Sequence, residues 1–280
     1  MRLNPAKTNL KLLTKTLLAI IVSSVFTIHA NASTMISATD YLKYELPQSI
    51  QDKCYEKNNC PDIEVKYLKT NQNWINDIVN ARVNNIVINS QPSESAVNKS
   101  TSTEAAKLAI DAFAKSQFAD LPADVPWSYQ LMVKPDYLGH IKRGHVQLGQ
   151  TEDLELFEIN SYVFTGGAHG MPFSEYLIFD PNTKTQITLA DLLEQGQQPY
   201  FEALAYDAYK NWVKTVDNDI NSYEQSWPFT LSDNVTLTDK GIDIRYQHYA
   251  IGPYAYGMPV LTISYSKLNG IIKPQFLPKS

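Results

Sequence analysis

The segment Leu154–Phe179 constrains this chain most. Leu154-Glu-Leu-Phe-Glu-Ile-Asn-Ser-Tyr-Val-Phe164 alternates apolar and polar residues, and Phe173–Phe179 forms a second extended run. Alternation at period two marks a strand with one buried face. Between the runs stands Thr165-Gly-Gly-Ala-His-Gly170. Glycine accepts positive φ and lets other backbone approach closely. Gly166, Gly167 and Gly170 therefore predict an unusual backbone path, and the simplest reading is strand, corner, strand.

The remaining chain is read around that hairpin. Ser33–Lys43 is polar and extended, with Tyr41, Tyr44 and Leu46 as buried positions, and Ile63–Leu68 alternates as a strand. Asn73–Ile88 carries apolar residues at 74, 75, 78, 79, 83, 86 and 87, one face of an amphipathic helix with Asn73 as N-cap. Asn89–Thr103 is a polar loop. Glu104–Phe118 is a second helix, with Leu108, Ala112, Lys115 and Phe118 along its turns, ended by Leu121–Pro126 because proline cannot continue a helix. Strands follow at Trp127–Lys134, His140–Gln150 and Leu154–Phe164, with turns at Pro135-Asp136 and across Leu148–Asp153.

Beyond the corner, Asp180–Thr183 is a turn, Gln186–Leu189 is extended and Ala190–Leu193 begins a helical turn. Tyr200–Val216 is a third helix with the stripe Leu204, Ala208, Trp212 and Val216. Asn218–Trp227 reads as a loop. Phe229–Leu231, Asn234–Thr238, Gly241–Tyr246 and Val260–Tyr265 read as strands, with a hairpin at Asp239–Gly241. Helices and strands come in blocks and not as strict βαβ units. That predicts α+β, with antiparallel sheets, about three packed helices and two α/β subdomains, residues 33–150 and 151–280.

Residues 1–32 read as a secretory signal peptide. Arg2, Lys7, Lys11 and Lys15 make a basic n-region, Leu17–Ile28 an apolar h-region, and Ala30-Asn-Ala32 an A-x-A cleavage site. The h-region is shorter than the roughly 17–25 residues of a membrane span, no later run could span a bilayer, and no cysteine stands at the cleavage point for a lipid. The expected location is the periplasm, with a secreted or signal-anchored chain as the alternative. The signal holds four of the 24 basic and none of the 29 acidic residues, which leaves 20 against 29, a net charge of −9. That balance disfavours nucleic acid and anionic membrane as partners and favours approach by a basic protein. Acidic surfaces also simply keep proteins soluble. Cys54 and Cys60, in an exported chain, predict one local disulfide and are too few for a structural zinc site.

Thr165–Gly170, the Tyr176–Asp180 strand, Thr188–Leu192 and Tyr249-Ala-Ile-Gly-Pro-Tyr-Ala-Tyr-Gly257, preceded by Leu237–Ile242, together form a pattern. It resembles the paired domains of unknown function in the extracellular part of lysozyme-sensing anti-sigma factors (RsiV-type). The first member of that pair also accompanies some peptidoglycan deacetylases. The resemblance spans about residues 40–275. It is specific in the second half; in the first half the Trp74 helix, with Asn73 and Asn76, matches best. It implies an α+β ectodomain that binds lysozyme directly. Only 16 residues precede the h-region, so the expectation is a free binding module without the signalling half.

Catalytic groupings are sparse. The chain has no Gly-x-Ser-x-Gly elbow, and both cysteines are expected to pair, so no nucleophile stands out. His140 and His145 are spaced poorly for a shared ligand, and Glu152, Asp153, Glu155 and Glu158 read as a solvated strand face. No catalytic residue, metal or cofactor is expected. Candidate protein-binding residues are Gly252, Pro253, Tyr254, Tyr256 and Gly257, with His169, Gly166 and Gly167 in support. Tyrosine suits an interface because it buries a large ring and keeps a polar tip. For His169, holding the corner through loop backbone competes with touching a ligand; for the tyrosines, core packing competes with contact. The leading expectation is a non-enzymatic periplasmic protein that binds a lysozyme-like peptidoglycan hydrolase, as an inhibitor or as an immunity protein. The alternatives are a peptidoglycan-acting enzyme or accessory domain of a deacetylase-like system, and a structural envelope protein.

Overall fold

A computed structural model describes residues 36, 39–57, 60–90, 98–120, 128–144 and 153–278. The expected signal peptide, the Leu121–Pro126 helix stop, His145 and Glu152 lie outside them. The described residues carry β1 (Thr39–Lys43), α1 (Gln48–Lys57), β2 (Asp62–Thr70), α2 (Asn73–Ile88), α3 (Thr103–Asp120), β3 (Gln130–Lys142), β4 (Asp153–Phe164) and β5 (Met171–Asp180). There follow β6 (Thr185–Ile187), α4 (Leu189–Leu192), α5 (Gln198–Val216), α6 (Ile220–Ser226), β7 (Val235–Leu237), β8 (Gly241–Arg245) and β9 (Val260–Ser264). The fold is α+β, as read. One sheet runs in the order β1-β2-β3-β4-β5-β6, and a second in the order β7-β8-β9. All pairings are antiparallel except β2 with β3. That parallel pair follows from α2 and α3, which form the long crossover such a pair requires.

The hairpin β4–β5 is the shared wall of two cores. On β4 the odd positions Phe157 and Ile159 pack with α2 and α3, while the even positions Leu154 and Leu156 pack with α5 and the second sheet. On β5, Leu177 and Phe179 face the first core and Ile178 the second. Period-two alternation sends neighbours to opposite faces. A strand buried on both sides needs large apolar residues at every position, as Leu154–Phe157 and Leu177–Phe179 supply apart from Glu155. Residues 33–150 and 151–280 meet inside this sheet, where β3 pairs with β4 from Gln130↔Phe164 to Lys142↔Asp153.

Several local expectations change. Helix α1, for which no element was expected, carries Cys54, and its disulfide to Cys60 forms as expected. Asn73 starts α2, but Gln72 takes the cap position without a side-chain bond. Helix α3 buries Ala106, Ile110, Phe113, Ala114 and Gln117, and leaves Leu108 exposed, because the apolar stripe is set by the tertiary neighbours and not by the alanines. Helix α5 buries Phe201, Ala205, Tyr209 and Val213; the expected stripe of Leu204, Ala208, Trp212 and Val216 is only partly buried beside it. Burying a large apolar side chain contributes about 1.5–3 kcal/mol. Phe201 and Tyr209 lie on the fully buried line, and Trp212 stands partly buried beside it.

Pro135-Asp136 is no turn: β3 runs through it, with a register shift between Tyr137 and Gly139. Tyr129 O accepts from Asp62 N of β2, so by alternation Pro135 faces the same side. β2 has stopped pairing at Val133, so the missing proline N–H costs no ladder bond there. Asn218–Trp227 holds α6, capped by Asp219, whose side chain accepts from Ser222 N. Phe229–Leu231 is not a strand.

Side-chain amides finish strand edges that no strand covers. Asn80 Oδ1 accepts from Leu68 N at 2.7 Å and its Nδ2 donates to Leu68 O at 3.0 Å; Asn76 does the same with Thr70 N and O at 2.9 and 3.1 Å. On β5, Gln247 Nε2 donates to Ser174 O at 2.6 Å, while Asn234 Oδ1 accepts from Tyr176 N and its Nδ2 donates to Ser174 O, both at 2.8 Å. Each amide offers the donor and acceptor of a peptide group, so it stands in for a missing strand.

Candidate functional site

The corner and the tyrosine-rich loop meet. In the corner, Gly166 and Gly167 have φ of 93° and 92°, a backbone that side-chain-bearing residues rarely adopt. The turn brings His169 back over the hairpin end, where its Nδ1–H donates to Gly170 O at 3.0 Å. The loop is closed at its base by Tyr246 N donating to Pro259 O at 2.8 Å. Inside it, Tyr254–Tyr256 form one 3-10 turn, ended by Gly257 at φ 70° and ψ −143°.

Tyr254 sits between two imidazoles. Its ring stacks on His169 at 3.7 Å and 18°, and on His248 at 4.3 Å and 25°. Its hydroxyl donates to Gly170 O at 2.9 Å. The residue nominated for direct contact is thus half-buried and holds the two loops together. Gly252 is buried: a Cβ there would lie 2.7 Å from Tyr223 Oη and 3.0 Å from Trp212 Cη2. Tyr223 Oη donates to Ile251 O at 3.0 Å. Burial, with smaller pressure from Tyr256 and Asp217, pushes that hydroxyl up to about 12, so it stays a donor. Pro253 is half-buried. Tyr256 is 40% exposed, with its ring edge-on to Trp212 at 6.2 Å.

Two neighbours were not nominated. Tyr249 is 46% exposed, takes φ 64°, and points its hydroxyl at His169 Nε2 at 3.4 Å. Left-handed backbone in a tyrosine costs about 1–3 kcal/mol, and such strain collects at functional sites. His248 completes the stack. Burial, and to a lesser degree repulsion from His169, lowers its pKa; the Tyr254 main chain opposes the shift, although Nδ1 lacks a hydrogen bond of ordinary geometry. The sequence carried one signal for both, since they border the tyrosine-rich stretch.

Beside the stack lies a groove of about 670 Å³. Its walls are the end of α2 (Arg82, Ile86, Asn89), the β4–β5 hairpin (Val163, Met171, Phe173), the corner residues Thr165, Gly166 and His169, and Gln247-His248. Arg82 is clamped by Glu175, with Nε–Oε2 at 3.1 Å and Nη2–Oε1 at 2.8 Å.

The acidic cluster is not a solvated face. Asp153 and Glu155 are buried. Tyr137 Oη donates to Glu155 at 2.6 Å, and Glu158 takes Arg245 at 3.0 Å and Ser174 Oγ at 2.5 Å. These carboxylates bind structural partners, which is why a strand that buries both faces tolerates them. His140 faces Asp153 at 3.9 Å. Among the described residues, no three His, Cys, Asp or Glu could hold a metal ion, and no helix is long and apolar enough to cross a membrane.

The fold is similar to that of solved structures. A DUF3298 family protein from Pseudomonas aeruginosa PAO1 superposes with a TM-score of 0.59 at 24% identity, covering 87% of this chain and 97% of that one. A member of the same family from Bacteroides fragilis NCTC 9343 gives 0.55 at 17% identity, covering 86% and 95%. No curated protein matches. The family's match falls on the tyrosine loop and stops short of the glycine corner: residues 178–266 match the family described as a protein of unknown function (DUF3298).

Proposed function

We propose that this chain is a non-enzymatic exported binding protein for a lysozyme-like peptidoglycan hydrolase, and that it inhibits its partner by presenting the 249–257 loop. The observation that carries the reading is the clamped Tyr254. Held between His169 and His248 and tied to Gly170 O, it fixes a loop whose outward rings are Tyr249 and Tyr256. Aromatic anchors on a pre-organised loop lose little conformational freedom on binding, and such anchors dominate interface energy. The excess of acidic residues, 29 against 24 basic in the whole chain, suits a basic partner. The resemblance to the anti-sigma ectodomain supplies the class of partner.

Calorimetry of the purified chain with lysozymes of several structural classes, paired with a muramidase assay, tests this. Binding to at least one class is expected, with turnover falling as the complex fills. Tyr249→Ala with Tyr256→Ala should weaken it by more than tenfold, that is by about 1.4 kcal/mol or more, while melting stays close to the parent. Absence of binding to every class, or equal affinity of the double variant, refutes the reading.

A further inference from the structure

We propose that the groove between α2 and the β4–β5 hairpin binds an amphipathic carboxylic acid, with an acyl chain on the apolar floor and the carboxylate on Arg82. This does not rest on the hydrolase reading. The floor is Ile86, Val163, Met171, Pro172 and Phe173. Met171 is 46% exposed at the strand end, an apolar surface without a described neighbour to cover it. A groove of about 670 Å³ is in the range of small-molecule sites, which combine an apolar lining with a few convergent polar groups.

The polar groups select the ligand. The amides that line the groove are engaged within the protein. Asn85 Nδ2 donates to Asn98 O and Ser100 O, Asn89 to Asn85 O and Asn98 O, and Gln247 to Ser174 O. The one formally charged side chain on the lining is the Arg82 guanidinium. Arg82 gives Nε and Nη2 to Glu175 and keeps Nη1, on a side chain that is 40% exposed. The Thr165 hydroxyl also borders the groove. No described lining residue is acidic, in a chain with more acidic than basic residues. The charge on the lining therefore favours an anionic head group over a cationic one. Glu175 holds the guanidinium in place and competes for its charge.

Titration of the purified chain with dodecanoate, dodecanol and dodecyltrimethylammonium below their micelle concentrations, at neutral pH, distinguishes the head groups. Saturable binding in the order acid, alcohol, cation is expected. Arg82→Gln should weaken dodecanoate on the order of tenfold, the contribution of a charge-assisted hydrogen bond, and leave dodecanol unchanged. Glu175→Gln releases the guanidinium and should tighten dodecanoate severalfold, which decides the matter should Arg82→Gln fail to fold. Val163→Trp should exclude all three. The proposal is overturned by no saturable binding of dodecanoate, by a cation that binds as well as the acid, or by Glu175→Gln leaving dodecanoate binding unchanged.

Discussion

His248 joins the loop's chemistry to its stability. Burial lowers its pKa from the ordinary 6.5, so the folded chain binds fewer protons there than the unfolded chain. Stability from this residue is complete above 6.5 and is lost as pH falls from 6.5 through the lower folded value. Urea midpoints at about pH 7.5 and about pH 5 should differ less in His248→Phe than in the parent. An equal difference in both would show that the imidazole does not couple to folding. The sequence made the glycines and tyrosines visible as odd, since φ near 93° at Gly166 is written in the residue type. It could not show which tyrosine would be clamped. That depends on His169 arriving from 80 residues away to stand near Tyr249 and Tyr254.

At the scale of elements, periodicity read α2 and β5 well because each buries one continuous face against large neighbours, and it found α5 as a helix while choosing the neighbouring stripe. It failed where the burden fell on partners instead of pattern. β3 runs through Pro135 because no neighbour needs that N–H. α6 forms from a polar stretch because Asp219 caps it and Tyr223 anchors it. The amide caps were equally hidden, since an asparagine on a helix looks like a solvated residue until a strand edge stands beside it. Removing Asn80 strips both Leu68 N and Leu68 O of a partner; removing Asn234 strips Tyr176 N, while Ser174 O keeps Gln247. Asn80→Ala and Asn234→Ala should each lose about 1–3 kcal/mol in urea unfolding, the cost of buried groups left without partners. An exposed aspartate variant such as Asp207→Ala, whose carboxyl pairs with Lys210 at the surface, should lose far less. Losses as small as that control would show that water replaces the amides without penalty.

At the scale of the molecule, the Cys54–Cys60 bond closes a short loop from α1 to its exit, and neither cysteine belongs to the two cores. With a sequence separation of 6, chain entropy assigns it about 2 kcal/mol. The double serine variant should therefore melt earlier, yet keep the near-ultraviolet signal of its buried rings; loss of that signal would give the bond a larger role. The shared wall of β4 and β5 has an effect in time. A chain is synthesised from its amino end, and α2 and α3 are complete by residue 120. Phe157, Ile159, Leu177 and Phe179, which close the core against them, come between 37 and 59 residues later. Until they emerge, Ile75, Val79, Ile110 and Phe113 have only half a core to enter. The first half is therefore made with an uncovered apolar face, and the hairpin is what covers it.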